Sequence, residues 1–342
     1  MKKASFVCTL IIGICSLLFT SCNLRDGTEE KNTVYSSEIR SIFIYGEDVY
    51  AVGSIRETEW SLEDIPALWK NGKMEIIRDV GTYSRATSVF VSNESVYVTI
   101  YAAGENKALL WINGESQILG DGMANDVYVE GNDVYVAGQK DGVAVLWKNG
   151  VPQRLDNKYY GSAESVFVRG NDGCVVGYWG APGPNSKAFC YTWKDDINTN
   201  KMEPLGNGSA DAVFISDKGD KYIAGELNNV AVFWKNGKPH YLENKGKTSR
   251  ANAITVNDVG NIIVAGWASD ERINNLIWVD GKCYCPDSCD GIDVSRVKTV
   301  VSDGNNIYFG GCRYEDELWP VWKYDGMSNF CIDSIKRVLF IE

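Results

Sequence analysis

A single histidine, His240, stands among 342 residues, and that scarcity removes several chemistries at once. Sites that need two imidazoles are excluded, including His-rich zinc centres and the H-E-x-x-H helix of metalloproteases. A Ser-His-Asp triad would have to use His240, inside Lys238-Pro-His-Tyr-Leu242, a segment that reads as an outer edge strand and shields no nucleophile. No G-x-x-x-x-G-K-[ST] phosphate loop occurs. Asp-rich stretches such as Ser216-Asp-Lys-Gly-Asp220 lack the ligand set of an EF-hand loop and read as hairpin turns. Helical periodicity is absent throughout. Positive charge is also short, with 34 Lys and Arg against 45 Asp and Glu. No basic run remains to neutralise phosphates, which argues against nucleic acid and against adhesion to anionic lipid by charge. Nothing in these absences calls for a cofactor or a metal.

The first residues read as a processing signal. Lys2 and Lys3 form a short basic region, and an apolar stretch over 6–19 follows, too short for a transmembrane span. Phe19-Thr20-Ser21-Cys22 resembles a lipobox, with Phe where that pattern usually has Leu. The expectation is a signal peptide over 1–21, a lipidated Cys22 as membrane anchor with a polar tether over 22–36, and one domain over 37–342. Such a chain sits in the cell envelope, with the outer membrane as the expected location. Cleavage removes two lysines and no acid, leaving 32 basic against 45 acidic side chains, a net charge of −13. Past Cys22 there are seven cysteines: Cys174, Cys190, Cys283, Cys285, Cys289, Cys312 and Cys331. Export permits disulfides, and an odd count leaves at least one thiol without an intrachain partner. The Cys283, Cys285, Cys289 spacing is not that of a zinc ribbon, so one or two local disulfides are the better expectation.

A repeat organises what remains. Trp69, Trp111, Trp147, Trp193, Trp234, Trp278 and Trp322 each end a short apolar run, at spacings of 42, 36, 46, 41, 44 and 44 residues. The grammar is clearest in the third unit: Val127-Tyr-Val129, Gly131-Asn-Asp133, Val134-Tyr-Val-Ala-Gly138, a loop, then Ala144-Val-Leu-Trp147-Lys-Asn-Gly150. Each unit offers four short strands, a to d, rich in residues that suit a pleated, half-buried surface. Asn71-Gly72, Asn113-Gly114, Asn149-Gly150, Asn236-Gly237 and Asp280-Gly281 fit type I′ turns between c and d. A four-stranded antiparallel unit of this length, recurring seven times, predicts an all-β chain folded as a seven-bladed β-propeller. The Trp and Asn-Gly residues recur in nearly every unit, which marks them as packing and turn devices rather than a site. The last residues, 336–342, resemble an eighth copy of strand a, so the expectation is that they close the ring against the first blade.

The phrase Val134-Tyr-Val-Ala-Gly138 … Ala144-Val-Leu-Trp-Lys-Asn-Gly150 resembles the repeat of a group of uncharacterised exported propeller proteins of Gram-negative bacteria, many of them lipoproteins. The resemblance covers about 39–342 and implies fold and location, without an activity. The Gly-His…Trp-Asp pattern of WD repeats and the Gly-Gly doublets of kelch repeats are missing, apart from a lone Gly310-Gly311.

Antiparallel order puts the a–b and c–d turns on one face and the longer b–c and d–a connections on the other. Function usually sits on such loops. The b–c loops are expected to hold Trp60, Tyr101, Tyr178, Trp179, Trp267 and Arg313; the d–a connections, Arg85, Tyr160 and Arg250. Aromatics flanking polar groups stack on sugars or anchor protein partners. A second set occupies matched positions near the start of strand a: Arg40, Thr87, Asn125, Glu164, Asp211, Asn252 and Lys298. Of these, Asn125, Glu164, Asp211 and Asn252 are the candidates for lining a central channel. The expected function is a non-catalytic envelope protein that binds a glycan or a protein partner through the loop face. The alternatives are a carbohydrate-active hydrolase or lyase on that face, using paired carboxylates, and a scaffold in a membrane-bound assembly.

Overall fold

The structure, a computed structural model, describes residues 36–58, 61–155, 160–180, 185–243, 248–269, 273–284, 296–304, 306–314, 321–325 and 335–337. Cys22, Trp60, Cys285 and Cys289 fall outside them, and of Arg296, Arg313 and Trp322 only the backbone is described. The described residues contain no helix. Their strands pair antiparallel in consecutive runs of four. The first run is β1 (Ser36–Tyr45), β2 (Asp48–Arg56), β3 (Ile65–Lys70) and β4 (Lys73–Ile76). The second is β5 (Ser84–Ser92), β6 (Ser95–Ala102), β7 (Lys107–Ile112) and the first half of β8 (Glu115–Glu130). The second half of β8 opens the third, with β9 (Asp133–Lys140), β10 (Val143–Lys148) and β11 (Val151–Arg154). The fourth comprises β12 (Gly161–Arg169), β13 (Asp172–Trp179), β14 (Lys187–Lys194) and the start of β15 (Asp196–Ile215). The remainder of β15 leads β16 (Lys221–Leu227), β17 (Val230–Lys235) and β18 (Lys238–Tyr241). Then come β19 (Thr248–Val256), β20 (Ile262–Ser269), β21 (Ile273–Val279) and β22 (Lys282–Tyr284). The last run is β23 (Arg296–Asp303), β24 (Asn306–Tyr314), β25 (Val321–Asp325) and β26 (Ile335–Arg337).

The c–d turn does more than reverse the chain. Asn71 and Gly72 both adopt positive φ (47° and 89°), as a type I′ turn requires. The Asn71 Oδ1 then accepts the Val49 backbone N–H at 2.8 Å, tying the turn to the start of strand b. The same bond recurs at 2.8 Å from Val96 to Asn113, Val134 to Asn149 and Lys221 to Asn236. The lysine before that Asn pairs with the a–b turn aspartate: Lys70 with Asp48, Lys148 with Asp133, Lys235 with Asp220. Each of these ammonium groups also lies 5.1–5.3 Å from the centre of a tyrosine ring, Tyr50, Tyr135 or Tyr222. Trp-Lys-Asn-Gly and Asp-x-Tyr are thus two halves of one clasp.

The inner strand of every run carries a bulge at the same place. Pairing between a and b skips one residue on strand a: Arg40, Thr87, Asn125, Glu164, Asp211, Asn252 and Lys298 in turn. The bulge explains the glycine of the Val-Ala-Gly motif. A Cβ on Gly138, Gly177, Gly225 or Gly266 would lie 2.0–2.1 Å from a carbonyl oxygen of the bulged strand, a separation no side chain tolerates.

Neighbouring runs are joined by aromatic packing. Six of the seven repeat tryptophans are described to the side chain, and all six are buried. Trp147 packs with Ala108 and Leu110 of the preceding run and donates to the Leu119 carbonyl at 3.3 Å. Trp278 packs on Phe233 and donates to the Glu243 carbonyl at 2.9 Å. Trp69, in the first run, packs with Tyr308 of the last. Each inner strand touches the next, and β23 touches β1. All seven line one cavity of about 330 Å³, with Ser41, Ser88, Asp126, Ser165, Ala212, Ala253 and Thr299 on its wall.

Two expectations change. Of the 336–342 segment expected as an inner strand beside the first run, 336 and 337 belong to β26 (Ile335–Arg337), which pairs with β25, Trp322 opposite Arg337, as the outer strand of the last run, and 338–342 lie outside the described residues. The start of β1 instead pairs with the end of β24, Ser36 opposite Tyr314. The long d–a connections also vanish in two places. β8 and β15 pass from one run to the next without a loop, bending at Gly120, Gly122 and Gly206, Gly208, whose φ values of 127–147° favour glycine.

Candidate functional site

One residue pair in each run fixes the level of the site. Two residues before each bulge, strand a faces strand b in a cross-strand pair: Glu38 with Ser54, Arg85 with Tyr101, Met123 with Gln139. The series continues with Ser162 and Tyr178, Ser209 and Glu226, Arg250 and Trp267. These positions lie where strand a begins and strand b ends, the end away from the clasped turns. Tyr101, Tyr178, Trp179, Trp267, Arg85 and Arg250 therefore sit in strands, not in the loops expected for them, because a–b pairing continues beyond the bulge. Tyr160 is exposed and precedes β12 directly; its carbonyl accepts the Gly180 N–H at 2.7 Å. Trp179 stacks on Phe189 with ring centres 5.4 Å apart, which commits one of its faces to the fold. Trp267 is half-buried.

Acidic groups of the fourth and fifth runs gather around Arg250 of the sixth. Arg250 grips Asp211 through two hydrogen bonds of 2.6 Å, Nε to Oδ2 and Nη2 to Oδ1, the bidentate geometry that planar guanidinium favours. Asp211 itself is only 11 % exposed. The Arg250 guanidinium is held charged chiefly by that carboxylate, against the opposing effect of burial. Burial pushes the Glu164 carboxyl above its ordinary value; a hydrogen bond with Ser162 opposes the shift, and the Asp211 charge adds to it. Ser162 in turn accepts from Asn125 Nδ2 at 2.9 Å. Burial likewise raises Glu226, while Arg250 pulls it back. Tyr178 is pushed up to about 12, first by burial and then by the charges of Glu164 and Tyr160. The structure thus brings Glu164, Asp211, Arg250 and Tyr178 together, with Tyr160 beside them.

The opposite sector, in the first, second and last runs, is basic. Arg40 Nη2 donates to Glu38 at 2.7 Å, and Lys298 lies 3.7 Å from the same carboxylate. Arg85 rests with its guanidinium carbon 5.3 Å from the centre of the Tyr101 ring. Burial, then the Arg40 charge, lowers its pKa. The Nε atoms of Arg40 and Arg85 are both buried without a hydrogen-bond partner.

The bulge residues divide between scaffold and site. Thr87 donates to the Ala124 carbonyl at 2.7 Å, Asn125 to the Ala163 carbonyl at 2.9 Å, and Asn252 to the Val297 carbonyl at 2.9 Å. Each reaches the strand just before the next bulge and so ties neighbouring runs. Asn125, Glu164, Asp211 and Asn252 precede, by one residue, the side chains that line the 330 Å³ cavity, and are not among them. Inside that cavity Asp126 accepts from Ser88 Oγ at 2.6 Å, Ser165 Oγ at 2.9 Å and the Val166 and Val127 N–H groups at 2.9 and 3.0 Å. Burial still raises its pKa. Sequence reasoning missed Asp126, Glu226 and Glu38. Glu226 follows the motif glycine Gly225 as Gln139, Tyr178 and Trp267 follow theirs, so aligning that column would have found it.

Among the described residues, no group of three or more His, Cys, Asp or Glu side chains is arranged to hold a metal ion. No protein-family model and no curated protein sequence matches the chain. Solved structures do match. The WD40 β-propeller domain of Doa1 superposes with a TM-score of 0.53 at 14 % identity, over 82 % of this chain and 94 % of that one. The Dos1 propeller gives 0.50 at 12 % identity, over 81 % and 76 %. A puromycin-hydrolysing peptidase of Mycobacterium tuberculosis gives 0.56 at 10 % identity over 90 % of this chain, which spans about half (54 %) of that protein. At these identities the likeness is one of fold: this is an all-β chain of propeller type.

Proposed function

We propose that this chain is a non-catalytic binding protein of the cell envelope, anchored through Cys22, whose seven four-stranded blades close into a ring. A glycan or protein partner docks on the face where strands a begin. The observation that supports the reading most is the sorting of charge around that end. Arg40, Arg85 and Lys298 stand on one side; Glu164, Asp211 and Glu226 gather around Arg250 on the other. Tyr101, Tyr160, Tyr178 and Trp267 lie between and beside them. Rigid aromatics with a polar surround are the usual anchors of an interface or a sugar site. The solved propellers that superpose on the chain include a WD40 domain, a fold used widely as an interaction scaffold.

A thermal-shift screen of the mature protein against oligosaccharides, paired with affinity capture of envelope proteins, tests this. A ligand at one hundred times its dissociation constant stabilises by about 2.7 kcal/mol. Binding should be lost on Trp267→Ala and on Arg85→Ala. Binding that survives both substitutions would place the partner elsewhere. A second reading, a carbohydrate-active hydrolase or lyase, is favoured by one observation: a carboxyl raised by burial, Glu164, beside a second carboxyl, Asp211, that is clamped by Arg250. Turnover of a bound sugar that disappears in Glu164→Gln would select it.

A further inference from the structure

Away from this face, β13 and β14 carry a pair of buried cysteines that the binding reading does not use. Cys174 and Cys190 sit diagonally across the two strands, Cys174 opposite Thr192 and Val176 opposite Cys190. Their sulfurs are 2.9 Å apart, closer than van der Waals contact between two sulfur atoms. The Lys221 ammonium lies 3.6 Å from the Cys190 sulfur, and this is its one side-chain hydrogen-bond partner among the described residues. That Lys lines a cavity of about 420 Å³ together with Arg169, Thr192, Trp193 and Lys201. A half-buried cation with no carboxylate in hydrogen-bond reach favours the anionic form of the nearest thiol. Consistently, the Cys190 thiol is lowered by its hydrogen bond with Cys174 and by Lys221, while burial raises Cys174.

We propose that Cys174 and Cys190 are an oxidation site that closes to an intrachain disulfide within one blade, with Cys190 as the attacking thiolate and Lys221 as its counter-ion. The oxidant is a low-molecular-weight or protein disulfide. Cys190 attacks one of its sulfurs, forming a mixed disulfide and releasing one thiolate. Cys174 then loses its proton to solvent and attacks the Cys190 sulfur, expelling the second thiolate. Two protein thiols are oxidised and one disulfide is reduced to two thiols. Cys190 is buried to 2 % exposure, so the reaction belongs to a late stage of folding, when β14 and β16 have already brought Lys221 beside Cys190 and the sulfur is not yet sealed from solvent.

The test is peptide mapping of the full chain refolded from urea in a glutathione redox buffer, with alkylation of remaining thiols before digestion. Trypsin cuts after Arg169, Lys187 and Lys194, so the expected product is the 170–187 peptide joined to the 188–194 peptide and released by reductant. Lys221→Met should slow the closure several-fold near neutral pH and lose that difference at a pH where free thiols ionise unaided. A natively folded protein in which both peptides carry the alkyl label, or in which either cysteine is joined to another, overturns the pairing. Equal closure rates at neutral pH in Lys221→Met overturn the role of the lysine.

Discussion

Replacing Trp147 by alanine tests the packing that joins neighbouring repeats. The side chain is fully buried, wedged between its own strand pair and Ala108 and Leu110 of the preceding run. Removing a buried Trp costs about 3–5 kcal/mol through lost transfer energy and the cavity left behind. The indole N–H also donates to the Leu119 carbonyl, but at 3.3 Å that bond is long and adds roughly 0.5–1 kcal/mol. Trp147→Ala should therefore destabilise the domain by ~4 kcal/mol in urea unfolding. Trp147→Phe, which keeps one ring and loses the bond, should cost about half as much. Val151, two-thirds exposed on the outer strand, is the control, and Val151→Ala should change stability by less than ~0.5 kcal/mol. A cost below ~1 kcal/mol for Trp147→Ala would refute the claim that the repeated tryptophan carries the contact between runs.

Asn149→Ala removes the clasp to Val134 and forces a non-glycine, non-Asn residue to hold φ at 50°; unfolding should show a loss of about 1–3 kcal/mol. Gly177→Ala places a Cβ 2.0 Å from the Ser162 carbonyl, so the bulge must shift, and a loss of roughly 1–3 kcal/mol is expected in the same assay. Glu164 is raised by burial from an ordinary value of 4.5, so the folded chain holds its proton more tightly than the unfolded one. Its contribution is greatest with the carboxyl protonated and is lost as pH rises through the raised value. Glu164→Gln, which mimics the protonated form, should gain on the parent as pH climbs from 4 to 8, and parallel stability profiles would contradict the burial argument.

The repeat was legible because each unit is local: an aromatic ending an apolar run, an Asn-Gly turn four strands apart, and a Val-Ala-Gly strand. Spacing alone aligns those features, and the pairings follow the same order. The matched positions from Arg40 to Lys298 were visible as a column, yet their nature was not. A bulge is a fact about the partner strand, and only the a–b register shows that each of these residues is the unpaired one. The same reason explains why Arg85, Tyr101, Arg250 and Trp267 were expected in loops. Polar and large aromatic residues end the apolar alternation, although the backbone goes on pairing. The Asp211–Arg250 clamp and the approach of Glu226 join residues 15 to 39 positions apart, across blades whose rotation no local pattern encodes. Lys336 and Arg337 misled for the opposite reason: they open a sequence, 336–342, that resembles an inner strand, and only the partner of β26 tells the two roles apart.

The central claim, that partners dock where strands a begin and strands b end, is tested most directly by hydrogen–deuterium exchange with and without a bound ligand. Protection should fall on peptides around 84–88, 99–104, 160–165, 176–180, 224–228 and 248–252. Protection confined to the clasped turns at 46–48, 70–73, 131–134, 148–151 and 235–238 would contradict the account and move the binding face to the other end of the strands.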